Sequence, residues 1–222
     1  MPLDRLRIFG TPNIGVFMFV NNKVALVPSG VEAQVKRKVA DTLSVEVVEA
    51  RVAASPLLGV FLTGNDRAIL APRIIRDEEL NHLLEIGLNV KVVDMKYTAL
   101  GNLVLANNKA AIFYPYLEED VVRTLSSHLG VERFTQGVIA KLPTVGSAAV
   151  ITDRGGVVHP DAEDEELERL SKHFGVSLDI GTVNFGVAFI KTGLVANNYG
   201  VLVGERTTGP EIMRITRALG VG

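Results

Sequence analysis

The sequence has no cysteine and no tryptophan, and aromatic residues make up only 6% of its 222 positions. Without cysteine there is no disulfide framework, no thiolate metal site and no cysteine nucleophile. Neither sign of charge dominates: 23 Lys and Arg face 25 Asp and Glu, for a formal net charge of −2 and a pI of about 6.1. That balance argues against a protein that holds nucleic acid chiefly through many phosphates. Long apolar runs are also missing. The longest, residues 15–20 and 56–62, fall far short of the ~18 residues that a membrane span needs. The opening Met1-Pro2-Leu3-Asp4-Arg5 has no basic-then-apolar signal architecture. A cytoplasmic protein without a membrane segment is expected.

What the chain does have is aliphatic residues in a repeating order. Hydrophobic residues reach 47% against 22% charged, ample for a folded core. Five apolar runs break at a polar pair and then resume: Asn21-Asn22, Asn65-Asp66, Asn107-Asn108, Thr152-Asp153 and Asn197-Asn198. Asn and Asp between β-prone runs suggest tight hairpins whose turn residues take positive φ. The second turn residues lie 44, 42, 45 and 45 positions apart. Each hairpin precedes an amphipathic segment, such as Val31, Val35 and Val39 or Val121, Val122, Leu125 and Leu129. Four of these segments stop at Gly87, Gly130, Gly175 and Gly220, as left-handed helix caps do, with Ser44 in that place in the first. A glycine also stands seven residues before the second turn residue (Gly15, Gly59, Gly101, Gly146), where the fifth copy has Lys191.

The spacing predicts units of hairpin, helix and third strand, the third strands covering 45–49, 90–94, 131–134 and 176–180. The fifth unit lacks one, whereas residues 3–9 form an apolar segment without a hairpin. The first strand is therefore expected to complete the fifth unit and close a ring, removing open sheet edges. The architecture predicted is an α/β propeller of five blades with pseudo-fivefold symmetry and outer helices. It forms a single domain over 1–222, with units near 10–55, 56–98, 99–143, 144–188 and 189–222 plus 1–9. Propellers of the WD type share the period but are all-β and carry Trp-Asp signatures, and HEAT-type repeats would leave ten strands unexplained.

Local motifs point to no catalysis. No phosphate-binding lysine loop, paired-histidine zinc helix or calcium loop occurs. Thr208, Pro210 and Glu211 read as a helix capping box. His82, His128, His159 and His173 have no metal-ligand spacing, and the acidic runs 77–79, 118–120 and 161–166 fall at helix starts, where they complement the dipole. Lys36-Arg37-Lys38 is a small basic patch on the first helix, read first as a solvated face and second as a contact for an acidic partner or RNA. The segments entering each unit are rich in glycine and amides. Glycine there lets backbones crowd an axis, and converging loops would form a partly apolar docking patch.

Leu100-Gly101-Asn102, Val157-Val158-His159-Pro160 and Gly181-Thr182-Val183-Asn184, together with the five-unit spacing, resemble the translation initiation factor 6 family over the whole chain. The resemblance implies the pentein fold, the five-bladed α/β propeller of that family. It implies binding to the intersubunit side of the large ribosomal subunit, beside proteins of the L14 and L24e families and the sarcin–ricin loop, which keeps the small subunit from joining. A role in large-subunit biogenesis is also implied. The absence of an extended C-terminal tail makes the chain similar to archaeal members. By position, Leu58, Gly59, Leu100, Gly101, Asn102, Val145, Gly146 and Asn184 are expected on the docking face, so Leu58→Asp or Asn102→Trp should weaken binding with little loss of stability. No cofactor, metal, DNA or membrane partner is expected, nor catalytic residues, and a monomer suffices. The alternative is a guanidine-modifying enzyme of the same fold, which the missing cysteine nucleophile disfavours.

Overall fold

The computed structural model describes residues 1–221. After an opening strand β1 (Leu3–Leu6), the same order of elements recurs five times. The first unit holds α1 (Ile14–Phe17), β2 (Phe19–Val20), β3 (Val24–Pro28), α2 (Ala33–Leu43) and β4 (Glu46–Ala50). The second holds α3 (Leu58–Phe61), β5 (Thr63–Gly64), β6 (Ile69–Pro72), α4 (Asp77–Glu85) and β7 (Val90–Val93). The third holds α5 (Leu100–Leu103), β8 (Val104–Ala106), β9 (Ala110–Phe113), α6 (Glu119–Leu129) and β10 (Arg133–Gln136). The fourth holds α7 (Val145–Ala148), β11 (Ala149–Ile151), β12 (Gly155–Val158), α8 (Asp164–Phe174) and β13 (Ser177–Ile180). The fifth holds α9 (Ile190–Gly193), β14 (Leu194–Ala196), β15 (Val201–Gly204) and α10 (Gly209–Ala218).

Each unit contributes a three-stranded sheet. Its middle strand runs antiparallel to its hairpin mate and parallel to the strand that returns after the helix. In the fifth sheet β1 takes the returning place: Leu3 lies opposite Val201 and Leu6 opposite Gly204, in parallel register. Middle strands such as Val24–Pro28 and Ala110–Phe113 are buried along their whole length, as continuous apolar runs covered on both faces should be.

The hydrophobic core is divided among five clusters, each built by two neighbouring units. Leu26 and Val24 of the first unit pack with Ile69 and Leu83 of the second. Leu105 and Ile112 of the third join Leu170 and Phe174 of the fourth. Leu202 of the fifth and Leu6 join Val39 and Leu43 of the first. A fully buried leucine of this kind contributes about 2 kcal/mol, and no unit can collect that contribution alone. The long helices are amphipathic because they lie on the sheet of the preceding unit; the His173 ring, for example, reaches the Ala111 carbonyl 3.0 Å away.

Two local expectations are corrected. The apolar runs entering each unit begin as one turn of helix rather than as strand, because the glycine at the second position of α1, α3, α5 and α7 lets these turns pack backbone to backbone. In the amide hairpins no turn residue has positive φ. Asn and Asp are there for their side-chain oxygens. Asn21 Oδ1 accepts from the amides of Lys23 (2.8 Å) and Val24 (2.9 Å), and Asn65, Asn107 and Asn197 accept equivalently. The helix stops are left-handed as predicted, with φ of 52° at Ser44, 58° at Gly130 and 70° at Gly175.

Candidate functional site

The repeats put two sets of equivalent residues around the line where the five units meet. One set is the amide turns. The Asn21, Asn65 and Asn107 carboxamides each donate to the backbone carbonyl of the next turn, and Asn197 donates to Asn21 O at 3.1 Å. Around them runs a second layer of side chains, Asn22, Asp66, Asn108, Asp153 and Asn198. Asp66 Oδ2 accepts from Asn22 (2.7 Å) and Asn108 (2.6 Å), and Asp153 Oδ2 accepts from Asn108 (2.6 Å) and Asn198 (2.8 Å). Every carboxylate is used, and no group of three or more potential metal-ligating side chains occurs among the described residues.

The other set is the short helices. A Cβ at Gly59 would overlap the carbonyl oxygen of Gly15, one at Gly101 that of Gly59, and one at Gly146 that of Gly101. The fifth copy departs from this pattern. The Lys191 side chain turns inward, and its Nζ donates to Gly101 O at 2.7 Å. The residue keeps some accessible surface, but burial of the ammonium pushes its pKa down to about 8.

This geometry redistributes the residues expected on a docking face. Leu58, Leu100 and Val145 are fully buried, each in a core cluster, because they begin helices that turn that position toward the sheets. Gly59, Gly101 and Gly146 are buried where the helices cross. Asn184 is buried too; its amide donates to Pro12 O at 3.0 Å and ties the turn between the fourth and fifth units to the first unit. Only Asn102 is half-exposed. The accessible positions are those immediately following in each helix: Val16, Val60, Asn102, Ser147 and Thr192, with Phe17 and Phe61 beside them. Around this end stand Phe185, 81% exposed, and Phe9, 54% exposed and stacked edge-on to Phe17 at 5.6 Å. Of the eight positions expected on a docking face, the structure therefore leaves Asn102 accessible and buries the other seven.

The acidic helix starts also do more than offset a dipole. Glu79, Glu166 and Glu211 reach back to the turns that connect units, where Ala53, Ala54, Ala140, Asn184 and Phe185 hold positive φ. For Glu211, partial burial opposes ionisation, but the amides of Thr208 and Gly186 and the hydroxyls of Thr182 and Thr208 hold its pKa at about 2. The predicted capping box at Thr208 and Glu211 is present.

The model of the eIF-6 family matches residues 3–218. The chain belongs to this family. Translation initiation factor 6 of Saccharolobus solfataricus is 50% identical over 222 residues, covering 99% of this chain and all of that protein. The Staphylothermus marinus protein of the same name is 49% identical over 226 residues, covering 100% and 99% respectively. That of Aeropyrum pernix is 50% identical over 224 residues, covering 99% and 96%. The five three-stranded sheets and repeated units agree with the family's five-lobed pentein fold. No helix among the described residues is long and apolar enough to cross a membrane.

Proposed function

We propose that this eIF-6 family protein acts in translation by docking on the large ribosomal subunit and excluding the small subunit by overlap. The observation that carries the reading is the family match over residues 3–218, among relatives named translation initiation factor 6. The architecture suits the task. Cores shared between neighbours, with β1 set into the fifth sheet, favour a closed ring that behaves as one rigid cytoplasmic body. A steric block needs rigidity and a surface, and neither turnover nor a cofactor.

The end bearing the short helices is the docking face in this reading. It combines half-exposed Val16, Phe17, Val60 and Phe61 and exposed Phe9 and Phe185 with the polar Asn102, Ser147 and Thr192. Apolar and aromatic residues accompanied by polar ones are what protein-led interfaces use. The near-neutral net charge also favours a ribosomal protein of the L14 or L24e family as main contact, with the sarcin–ricin loop secondary.

The test is a sucrose gradient. The protein is expected to co-sediment with free large subunits and to lower the yield of joined ribosomes; remaining at the top at low and moderate salt would refute the proposal. Val60→Asp, on the accessible surface, is expected to weaken co-sedimentation at least tenfold while the melting temperature holds.

A further inference from the structure

Four of the turns that connect units close through an isolated antiparallel bridge: Ile8 with Thr11, Val52 with Ser55, Ile139 with Leu142 and Val183 with Val187. All four put consecutive residues at positive φ, including Phe9 and Gly10 at 51° and 75° and Ala53 and Ala54 at 54° and 59°. Successive amides in this conformation converge on one point and form a concave site for an anion. In three turns this protein supplies the anion itself, from the third residue of the following long helix. Glu79 accepts from Ala53 and Ala54, both at 2.7 Å. Glu166 accepts from Ala140 at 3.0 Å, and Glu211 from Phe185 at 3.2 Å and Gly186 at 2.8 Å.

In the first unit the equivalent position, three residues after the N-cap of α2, is Val35. The turn keeps its shape, yet among the described residues the Phe9 and Gly10 amides meet no protein acceptor. The third unit makes the contrast plain. It has Val121 at this position, and residues 95–98 have neither bridge nor positive φ. A turn without its carboxylate has relaxed there but not in the first unit. The groove that contains Val35 is lined by Arg5, Arg7 and Lys38, with Glu32 and Glu205 at its side. Arg7 holds Glu205 only loosely, at 3.9 Å with both side chains well exposed, and Lys38 pairs with Asp4 at 2.9 Å.

We infer that the Phe9-Gly10 turn is a docking point for a Glu or Asp side chain of a protein partner, which completes from outside the contact that Glu79 and Glu211 make from within. A carboxylate rather than a phosphate is favoured because the filled copies fix the geometry: two oxygens of one planar group on two adjacent amides. Arg5 and Arg7 supply the attraction, and exposed Phe9 supplies apolar contact beside it.

The test uses the isolated protein, so its outcome is separate from that of ribosome docking. An acetylated, amidated tetraglutamate peptide is titrated while the amide resonances of Phe9 and Gly10 are followed by NMR, with inorganic phosphate at matched ionic strength in parallel. The peptide is expected to move both amide protons saturably downfield, toward the positions of Ala53 and Ala54. In Val35→Glu they should start there and no longer respond. Arg7→Glu, a change on the surface, should weaken the titration at least threefold, and it decides the matter should Val35→Glu not fold. Absence of a shift up to millimolar peptide, an equal response in wild type and Val35→Glu, or a stronger response to phosphate would overturn the inference, the last in favour of an RNA phosphate.

Discussion

The two ends of the axis meet the same demand in opposite ways. Where the short helices converge, five units approach closely because the chain gives up side chains, and carbonyl oxygens occupy the room that a Cβ would need. Where the hairpins converge, the units meet through side chains, a double layer of carboxamides and carboxylates in which each turn holds its neighbour. The first solution depends on shape and tolerates almost no added atom; the second depends on hydrogen bonds, each of modest worth. Their exceptions differ accordingly. The helix end absorbs Lys191 only by sending a whole side chain inward to Gly101, while the hairpin end absorbs Thr152 by omitting one cross-unit amide.

If this contrast is right, the largest effect will come from one methyl group at the helix end. Gly59→Ala drives a Cβ into the carbonyls of Gly15 and Met18, backbone atoms that cannot swing aside, and is expected to cost about 3 kcal/mol or more in urea unfolding. A loss under 1 kcal/mol would mean that the helices can slide apart. At the hairpin end Asp66→Ala leaves the Asn22 carboxamide and backbone amide without their acceptor and takes one of two from the Asn108 carboxamide, at an expected cost of about 2 kcal/mol. Next comes Glu211→Gln, which tests the clasped turns beside the helices. An unfolded glutamate titrates near 4.5 and the folded one near 2, so its contribution is in place above pH 4.5 and fades as the pH falls toward 2. Solvent screens this partly exposed carboxylate, so we expect a loss of about 1–2 kcal/mol at neutral pH, with the two melting curves converging in acid. The smallest effect is a gain: Thr152→Asn supplies the missing amide donor and is expected to add about 0.5–1 kcal/mol.

The period, the helix stops and the third strands were legible because each repeats with a fixed chemical signature, such as the left-handed glycine after a helix. The partner of Leu3–Leu6 could be reasoned out by counting, since one unit lacked a strand and one strand lacked a unit. The short helices were not legible. Four residues such as Leu58–Phe61 are too few to display a helical period, and Val and Phe favour a strand until the glycine is seen as a packing surface. The burial of Leu58 was hidden for the same reason: a strand would put Leu58 and Val60 on one face, whereas the helical turn buries the first and leaves the second accessible. Nor could single-residue propensity foretell positive φ at Ala53 and Ala54; a glutamate some 25 residues away holds them there.

The pairing of β1 with β15 has a consequence for the order of events during synthesis. Strand β1 is given its neighbour only after Val201–Gly204 has been translated, so it waits through the synthesis of all the units between them with its backbone unpaired. Contacts so distant in the chain form slowly, and its placement is expected to be the last step of folding, the one that separates a nearly finished molecule from a working one. A nascent chain halted before residue 201 should leave its amino terminus open to protease, and release of the finished chain should protect it.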